Sequence, residues 1–233
     1  MVKIIHNRKN NRLSLKVCGM KHNTAEVARL QPDYLGFIFY EKSPRYVSHS
    51  HIESLLPESN RIKTTKNVGV FVNASVNFII KQCKAFNLNV IQLHGEESVA
   101  FINSLIAAIH SDHTLQPLKL WKVFSIKDHF NFDVLKDFEA YVDAFLFDTK
   151  GKDKGGNGYT FNWSVLKDYP STTPIILSGG IGIEHIEELK ALLKLKLPIT
   201  AIDVNSKFED KPGLKNIELL SRFKEQLKKE QLI

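Results

Sequence analysis

Leu13, Leu15 and Val17 are apolar and alternate with polar neighbours, the period-two pattern of a strand, and Cys18-Gly19 follows where that strand should stop. The spacing then turns helical over Asn23 to Leu30, with Asn23 as the expected N-cap. This exchange of periods repeats along the chain. Strands are expected at Tyr34 to Phe39, Val68 to Val72, Asn89 to Leu93 and Leu118 to Val123, then at Ala144 to Phe147, Ile175 to Leu177 and Ile199 to Val204. Between and after them, helices are expected at His49 to Leu56, Ala74 to Phe86, Glu96 to His110, Lys127 to Ala140, Phe161 to Asp168, Ile183 to Leu195 and Leu214 to Lys228. Cys83, Trp121 and Trp163 read as packing residues.

Eight strand-then-helix units predict a single-domain α/β fold, a (β/α)8 TIM barrel over residues 13–233. The short β-branched strands suit burial on both faces, and parallel neighbours need crossovers of this length. An open doubly wound sheet is the alternative, because periodicity does not separate closed from open.

Composition narrows the function classes. At 233 residues, with 43% hydrophobic and 24% charged positions, the chain suits a soluble globular protein. No apolar run reaches membrane-helix length, the basic stretch 1–12 has no apolar segment of secretory type, and only Cys18 and Cys83 are cysteines. A reducing, cytoplasmic setting is therefore expected, with no membrane partner. Of the net charge of +7, Lys3, Arg8, Lys9 and Arg12 supply four, so residues 1–12 read as a flexible basic extension. No zinc spacing, RNA-binding aromatic signature or basic helix stripe accompanies the charge, so a small anionic ligand is the expected partner rather than nucleic acid.

In a barrel of this kind, chemistry gathers where strands end at the C-terminal mouth. Cys18, Arg45, His94, Asp148, Gly179-Gly180 and Asp203 all fall at such positions. Ser178-Gly-Gly-Ile-Gly182 runs into a helix, offering backbone amides and a helix N-terminus to an anion, and Val204-Asn205-Ser206 adds amides and a hydroxyl on the next loop. The loops after strands seven and eight are where barrels commonly bind phosphate, so the expected ligand is phosphorylated. Lys150 to Tyr159, basic and rich in glycine, reads equally as a lid over an anionic substrate or as a mobile surface loop.

Several motifs carry a family resemblance: Lys16-Val-Cys-Gly-Met20, Gly36-Phe-Ile-Phe39 with Ser43-Pro-Arg-Tyr-Val47, Val68-Gly-Val-Phe-Val72, and Gln92-Leu-His-Gly95. So do Phe147-Asp-Thr149 with Gly155-Gly-Asn-Gly158 and Phe161-Asn-Trp163, Leu177-Ser-Gly-Gly180, and Asp203-Val-Asn-Ser206 with Pro212-Gly213. In series and in order, they resemble the phosphoribosylanthranilate isomerases. That resemblance implies an isomerase of tryptophan biosynthesis, without metal or organic cofactor. Its reaction is an Amadori rearrangement of N-(5-phosphoribosyl)anthranilate to 1-(2-carboxyphenylamino)-1-deoxyribulose 5-phosphate.

The resemblance further implies Asp148 as general acid, Cys18 as general base, Arg45 on the anthranilate carboxylate, and Asp203 near the anilino end. His94 reads as lining the mouth, and Gly179, Gly180, Asn205 and Ser206 as the phosphate site. Nothing in the sequence accounts for the activation of Cys18; Lys16 is read as poorly placed for it, on the ground that neighbouring strand positions alternate faces. Asn157, Lys207 and Phe208 depart from the family pattern and bear on phosphate contacts. A monomer or homodimer is expected. Another sugar-phosphate barrel enzyme, or a phosphate-binding barrel without catalysis, would share the phosphate loops; only the isomerase needs both Cys18 and Asp148.

Overall fold

The computed structural model describes residues 12–48, 51, 64–115, 117–149, 160 and 162–233. Eight parallel strands close into a barrel in chain order: β1 Ser14–Cys18, β2 Tyr34–Ile38, β3 Lys66–Phe71, β4 Val90–Leu93, β5 Lys119–Ile126, β6 Ala144–Thr149, β7 Ile175–Leu177 and β8 Ile199–Val204. Pairing of β1 with β8, Lys16 opposite Asp203, settles closed against open.

Five α-helices lie among the described residues: α1 Thr24–Arg29, α2 Val76–Ala85, α3 Val99–Ser111, α4 Ile186–Leu193 and α5 Ile217–Lys229. Ser75, Ser98 and Asn216 cap α2, α3 and α5 by accepting hydrogen bonds from backbone N–H groups. Asn23 stands before α1 but does not cap it. Its amide instead grips the Lys215 backbone, donating to the carbonyl at 2.8 Å and accepting from the N–H at 2.9 Å. The expected extension 1–12 (but for Arg12), the helix His49 to Leu56 (but for His51) and the loop Lys150 to Tyr159 lie outside the described residues.

Two expected α-helices are replaced by short 3-10 turns. Phe132–Asp137 stands in place of Lys127 to Ala140, and Trp163–Asp168 in place of Phe161 to Asp168. Asn131 and Asn162 each accept a hydrogen bond from the N–H two residues on, an Asx turn that competes with helix nucleation. Phe124, Phe130, Phe132, Phe138, Phe145, Phe147 and Tyr169 contact one another edge to face, drawing these connections onto the sheet by aromatic packing. A further departure is a small antiparallel pair, β9 Glu209–Lys211 and β10 Leu214–Lys215, before α5. α5 accordingly starts at Ile217, after the expected Leu214.

The core has two parts. A large cluster packs the outer strand faces against the helices, while Val68, Val90, Trp121, Val123, Ala144, Leu146, Ile176 and Ala201 fill the barrel interior. Because side chains alternate faces along a strand, the residue two positions beyond each interior apolar group also points inward. Beyond Val90, Leu146, Ile176 and Ala201 come Gln92, Asp148, Ser178 and Asp203. The interior thus changes from apolar to polar within one layer toward the C-terminal mouth.

Candidate active site

A cavity of about 580 Å3 opens at that mouth. Cys18, Arg45, Gln92, His94, Asp148 and Asp203 line it from one side, and Ser178, Gly179, Gly180, Asn205 and Ser206 from another. Cys18, Arg45, His94, Asp148, Gly179, Gly180, Asp203, Asn205 and Ser206, all expected at the site, therefore line one space.

Cys18 ends β1 and is 5% exposed. Its sulfur fits because β2 places Gly36 opposite it: a Cβ on Gly36 would lie 2.8 Å from Cys18 Sγ. Lys16 lies two residues earlier, hence on the same inward face. The sequence reading of Lys16 was mistaken, since alternation separates neighbours but unites positions two apart. Lys16 is fully buried; its Nζ donates to Asp203 Oδ2 at 2.8 Å, and its charge opposes the effect of burial on the Cys18 thiol. Ser178 Oγ donates to the same Asp203 oxygen at 3.4 Å.

Burial is the main influence on these groups. It raises the Cys18 thiol, with Asp203 adding to the rise and Lys16 and Lys215 opposing it. It raises the Asp203 carboxyl against the pull of Lys16. For Lys16, burial opposes the charge, but Asp203 and Cys18 outweigh it and hold the ammonium above its usual range.

Asp148 ends the inward series of β6. Its Oδ1 accepts the Thr149 N–H at 2.9 Å, and its Oδ2 lies 3.4 Å from His94 Nε2. His94 does more than line the mouth: its ring stands against the carboxylate, with Nε2 buried and without a hydrogen-bond partner. Gln92 Oε1 and Asp203 Oδ1 are likewise buried and unbonded on the cavity wall. Buried polar atoms are rarely left so, and these three belong to residues that line one cavity.

Arg45 comes from the loop after β2. Glu209 of β9 accepts from Arg45 Nη2 at 2.6 Å and Nε at 3.0 Å, while buried Lys215 donates to Glu209 Oε1 at 2.7 Å and to Asn205 Oδ1 at 2.7 Å. Burial works against the Glu209 charge, but Arg45 and Lys215 outweigh it and hold the carboxyl below its ordinary range. Burial pulls Lys215 down to about 8. Neither Glu209 nor Lys215 was singled out in the sequence; strands of three and two residues give no period to read.

Gly179 and Gly180 have φ of +87° and +63°, the left-handed region, and a Cβ at Gly179 would lie 2.2 Å from Thr149 Oγ1. The next turn is Ile183–His185, a 3-10 segment that precedes α4, so the glycines do not run straight into an α-helix as expected. His185 Nδ1 accepts the Gly182 N–H at 3.0 Å. Asn205 accepts from Lys215 through its side-chain oxygen at 2.7 Å and its backbone carbonyl at 3.3 Å, and it lines the cavity beside Ser206. Of the departures, Lys207 pairs with Glu184 at 2.9 Å, Phe208 is buried against Phe223, and Asn157 lies outside the described residues.

A closed parallel barrel with its polar groups converging on one cavity at the C-terminal mouth is the architecture of a (β/α)8-barrel enzyme. Residues 15–226 match the family model described as N-(5'phosphoribosyl)anthranilate isomerase. The chain belongs to that family. A protein of Parabacteroides distasonis named N-(5'-phosphoribosyl)anthranilate isomerase is 39% identical over 217 residues, covering 91% of this chain and 92% of that protein. The crystal structure of the phosphoribosyl anthranilate isomerase from Thermus thermophilus shares the fold, with a TM-score of 0.74 at 24% identity, over 94% of this chain and 100% of that one. Another structure of a phosphoribosyl anthranilate isomerase, in complex with reduced 1-(o-carboxyphenylamino)-1-deoxyribulose 5-phosphate, has a TM-score of 0.69 at 24% identity, over 93% and 99% of the two chains.

Proposed function

We propose that this chain converts N-(5'-phosphoribosyl)anthranilate to 1-(2-carboxyphenylamino)-1-deoxyribulose 5-phosphate, with Asp148 as general acid and Cys18 as general base. The observation that carries this reading is the convergence on one cavity of a carboxyl, a thiol, a forked cation and two glycine-and-amide loops. Each answers a part of the substrate.

Asp148 delivers a proton to the ribose ring oxygen as the C1–O bond breaks, and the anilino nitrogen lone pair forms the C1=N iminium. Cys18 then takes the proton from sugar C2. The C–H electron pair becomes the C1=C2 bond and neutralises the nitrogen, and the enolamine tautomerises to the ketone. Composition is unchanged, so acid and base suffice.

Arg45, whose fork suits a carboxylate, holds the anthranilate end. Glu209 anchors it without consuming the whole guanidinium, because only Nε and Nη2 are engaged. Asp203 Oδ1 accepts the anilino N–H and its charge favours the iminium. His94 borders the Asp148 carboxyl, and Gly179, Gly180, Asn205 and Ser206 receive the phosphate.

The test is turnover of freshly generated substrate by the native chain, followed as loss of the anthranilate-type fluorescence. Rapid conversion is expected. Binding of a reduced product analogue with no conversion would leave a ligand-binding barrel and overturn the enzymatic reading.

A further inference from the structure

A thiol acts as a base only as its thiolate, yet burial favours the neutral form of Cys18. Something in the barrel must oppose that cost, and the geometry limits the choice. Gly36 of β2 has no side chain, and among the described residues the cations acting on Cys18 are Lys16 of β1 and Lys215 of β10, with Arg45, Lys42 and Lys207 farther along the cavity wall. Lys215 and Arg45 are both engaged by Glu209. Lys16 alone shares the inward face of β1 with Cys18, and it is fully buried. An aliphatic residue would fill such a site with less desolvation, so a charge kept there has a use beyond packing.

We propose that Lys16 is the positioning residue that holds Cys18 as the thiolate for proton abstraction, with Asp203 keeping Lys16 protonated. This rests on Cys18 being the base. An ammonium has three N–H donors, so one serves Asp203 Oδ2 at 2.8 Å and two remain on the inward face of β1 that Lys16 shares with Cys18. Lys16 and Asp203 cancel, and Arg45, Lys215 and Glu209 leave one positive charge nearby. Asp148 and His94 face each other at 3.4 Å on the same cavity. In the abstraction step the S–H bond forms, the C2 electron pair moves into C1=C2, and Lys16 keeps all its protons.

The test is the pH dependence of Cys18 alkylation by iodoacetamide in substrate-free protein, read by peptide mass spectrometry so that Cys83 is counted separately. Lys16→Met is expected to move the Cys18 midpoint up by about one to three units, the effect of losing an adjacent opposite charge. It should also lower kcat by about a hundredfold or more while affinity for the reduced product analogue stays within about threefold. Lys16→Met strands a buried carboxylate, so the Lys16→Met/Asp203→Asn double variant is run beside it. A smaller upward shift is expected there, because Asp203, which itself raises the thiol, is lost with Lys16, and no uncompensated charge is left to unfold the barrel. An unchanged midpoint in folded Lys16→Met, or a midpoint in the double variant below that of the native chain, overturns the assignment. Because alkylation uses no substrate, that failure is distinct from failure of the native chain to turn over, which would sink Cys18 as base.

Discussion

Of the three buried lysine–carboxylate pairs among the described residues, one lies inside the barrel and one outside it, between sheet and helices. Lys122 of β5 and Glu97 lie between the sheet and the helix shell, and both are nearly inaccessible. Glu97 accepts from Lys122 Nζ at 3.0 Å, from the Asn73 N–H at 2.9 Å and from the Gly95 N–H at 3.0 Å. Lys122 in turn donates to the Gly95 carbonyl at 2.8 Å. Every oxygen of that carboxylate is engaged, and the pair ties the β3 and β4 loops together. The Lys16–Asp203 pair is equally buried and tighter, at 2.8 Å, but Asp203 Oδ1 has no partner and a thiol adjoins the ammonium. The difference teaches how to read buried charge here. On the proposed mechanism the saturated pair is scaffold, and the pair with an oxygen free on the cavity takes part in the chemistry.

The contrast can be broken by substitution. The largest stability effect is expected from Lys122→Met, which strands Glu97: a loss of about 3–5 kcal/mol in denaturant unfolding, as for other broken buried pairs. The folded fraction should keep its turnover within about tenfold, with most of the loss recovered in Lys122→Met/Glu97→Gln. A comparable loss of kcat without loss of stability would erase the distinction between the pairs.

Arg45→Ala should act at the cavity with little effect on the fold, raising KM about tenfold to a hundredfold through the lost charged hydrogen bonds. Steady-state kinetics checks this, and an unchanged KM would place the substrate carboxylate elsewhere. Gly36→Ala should lower kcat by about tenfold, because the added methyl presses on a sulfur only 2.8 Å away. Its KM should hold, and an unaffected kcat would show that the thiol position is not tightly required.

The smallest effect concerns Lys215, lowered by burial to about 8 against the ordinary 10.5. Between those values the folded protein binds fewer protons than the unfolded chain, so this group makes stability rise with pH through that window. Lys215→Met should remove that increment, seen as a smaller gain in the denaturant midpoint above pH 8 than native protein shows.

The barrel was legible because its interior carries the signal that sequences display best: period-two strands ended by polar residues. Cys18, Asp148 and Asp203 could be placed at the mouth from strand ends alone, and the structure brings them to one cavity. Lys16 was equally legible, two residues before Cys18, and was missed only by treating it as an immediate neighbour. The 3-10 turns at Phe132–Asp137 and Trp163–Asp168 were not legible, since asparagine turns and long-range aromatic contacts decide them. Glu209 and Lys215 were hidden for a related reason: they matter through Arg45, 164 residues away in the chain from Glu209. Nothing local to either residue announces that partner.

The measurement that bears most directly on the account is kcat of Cys18→Ala and of Asp148→Asn on freshly generated N-(5'-phosphoribosyl)anthranilate, beside the affinity of each for the reduced product analogue. Both variants should lose kcat by about a hundredfold to ten-thousandfold, as expected for removal of a general acid or base, while binding the analogue nearly as the native chain does. Turnover within tenfold of native in either variant would contradict the assignment of acid and base to this pair.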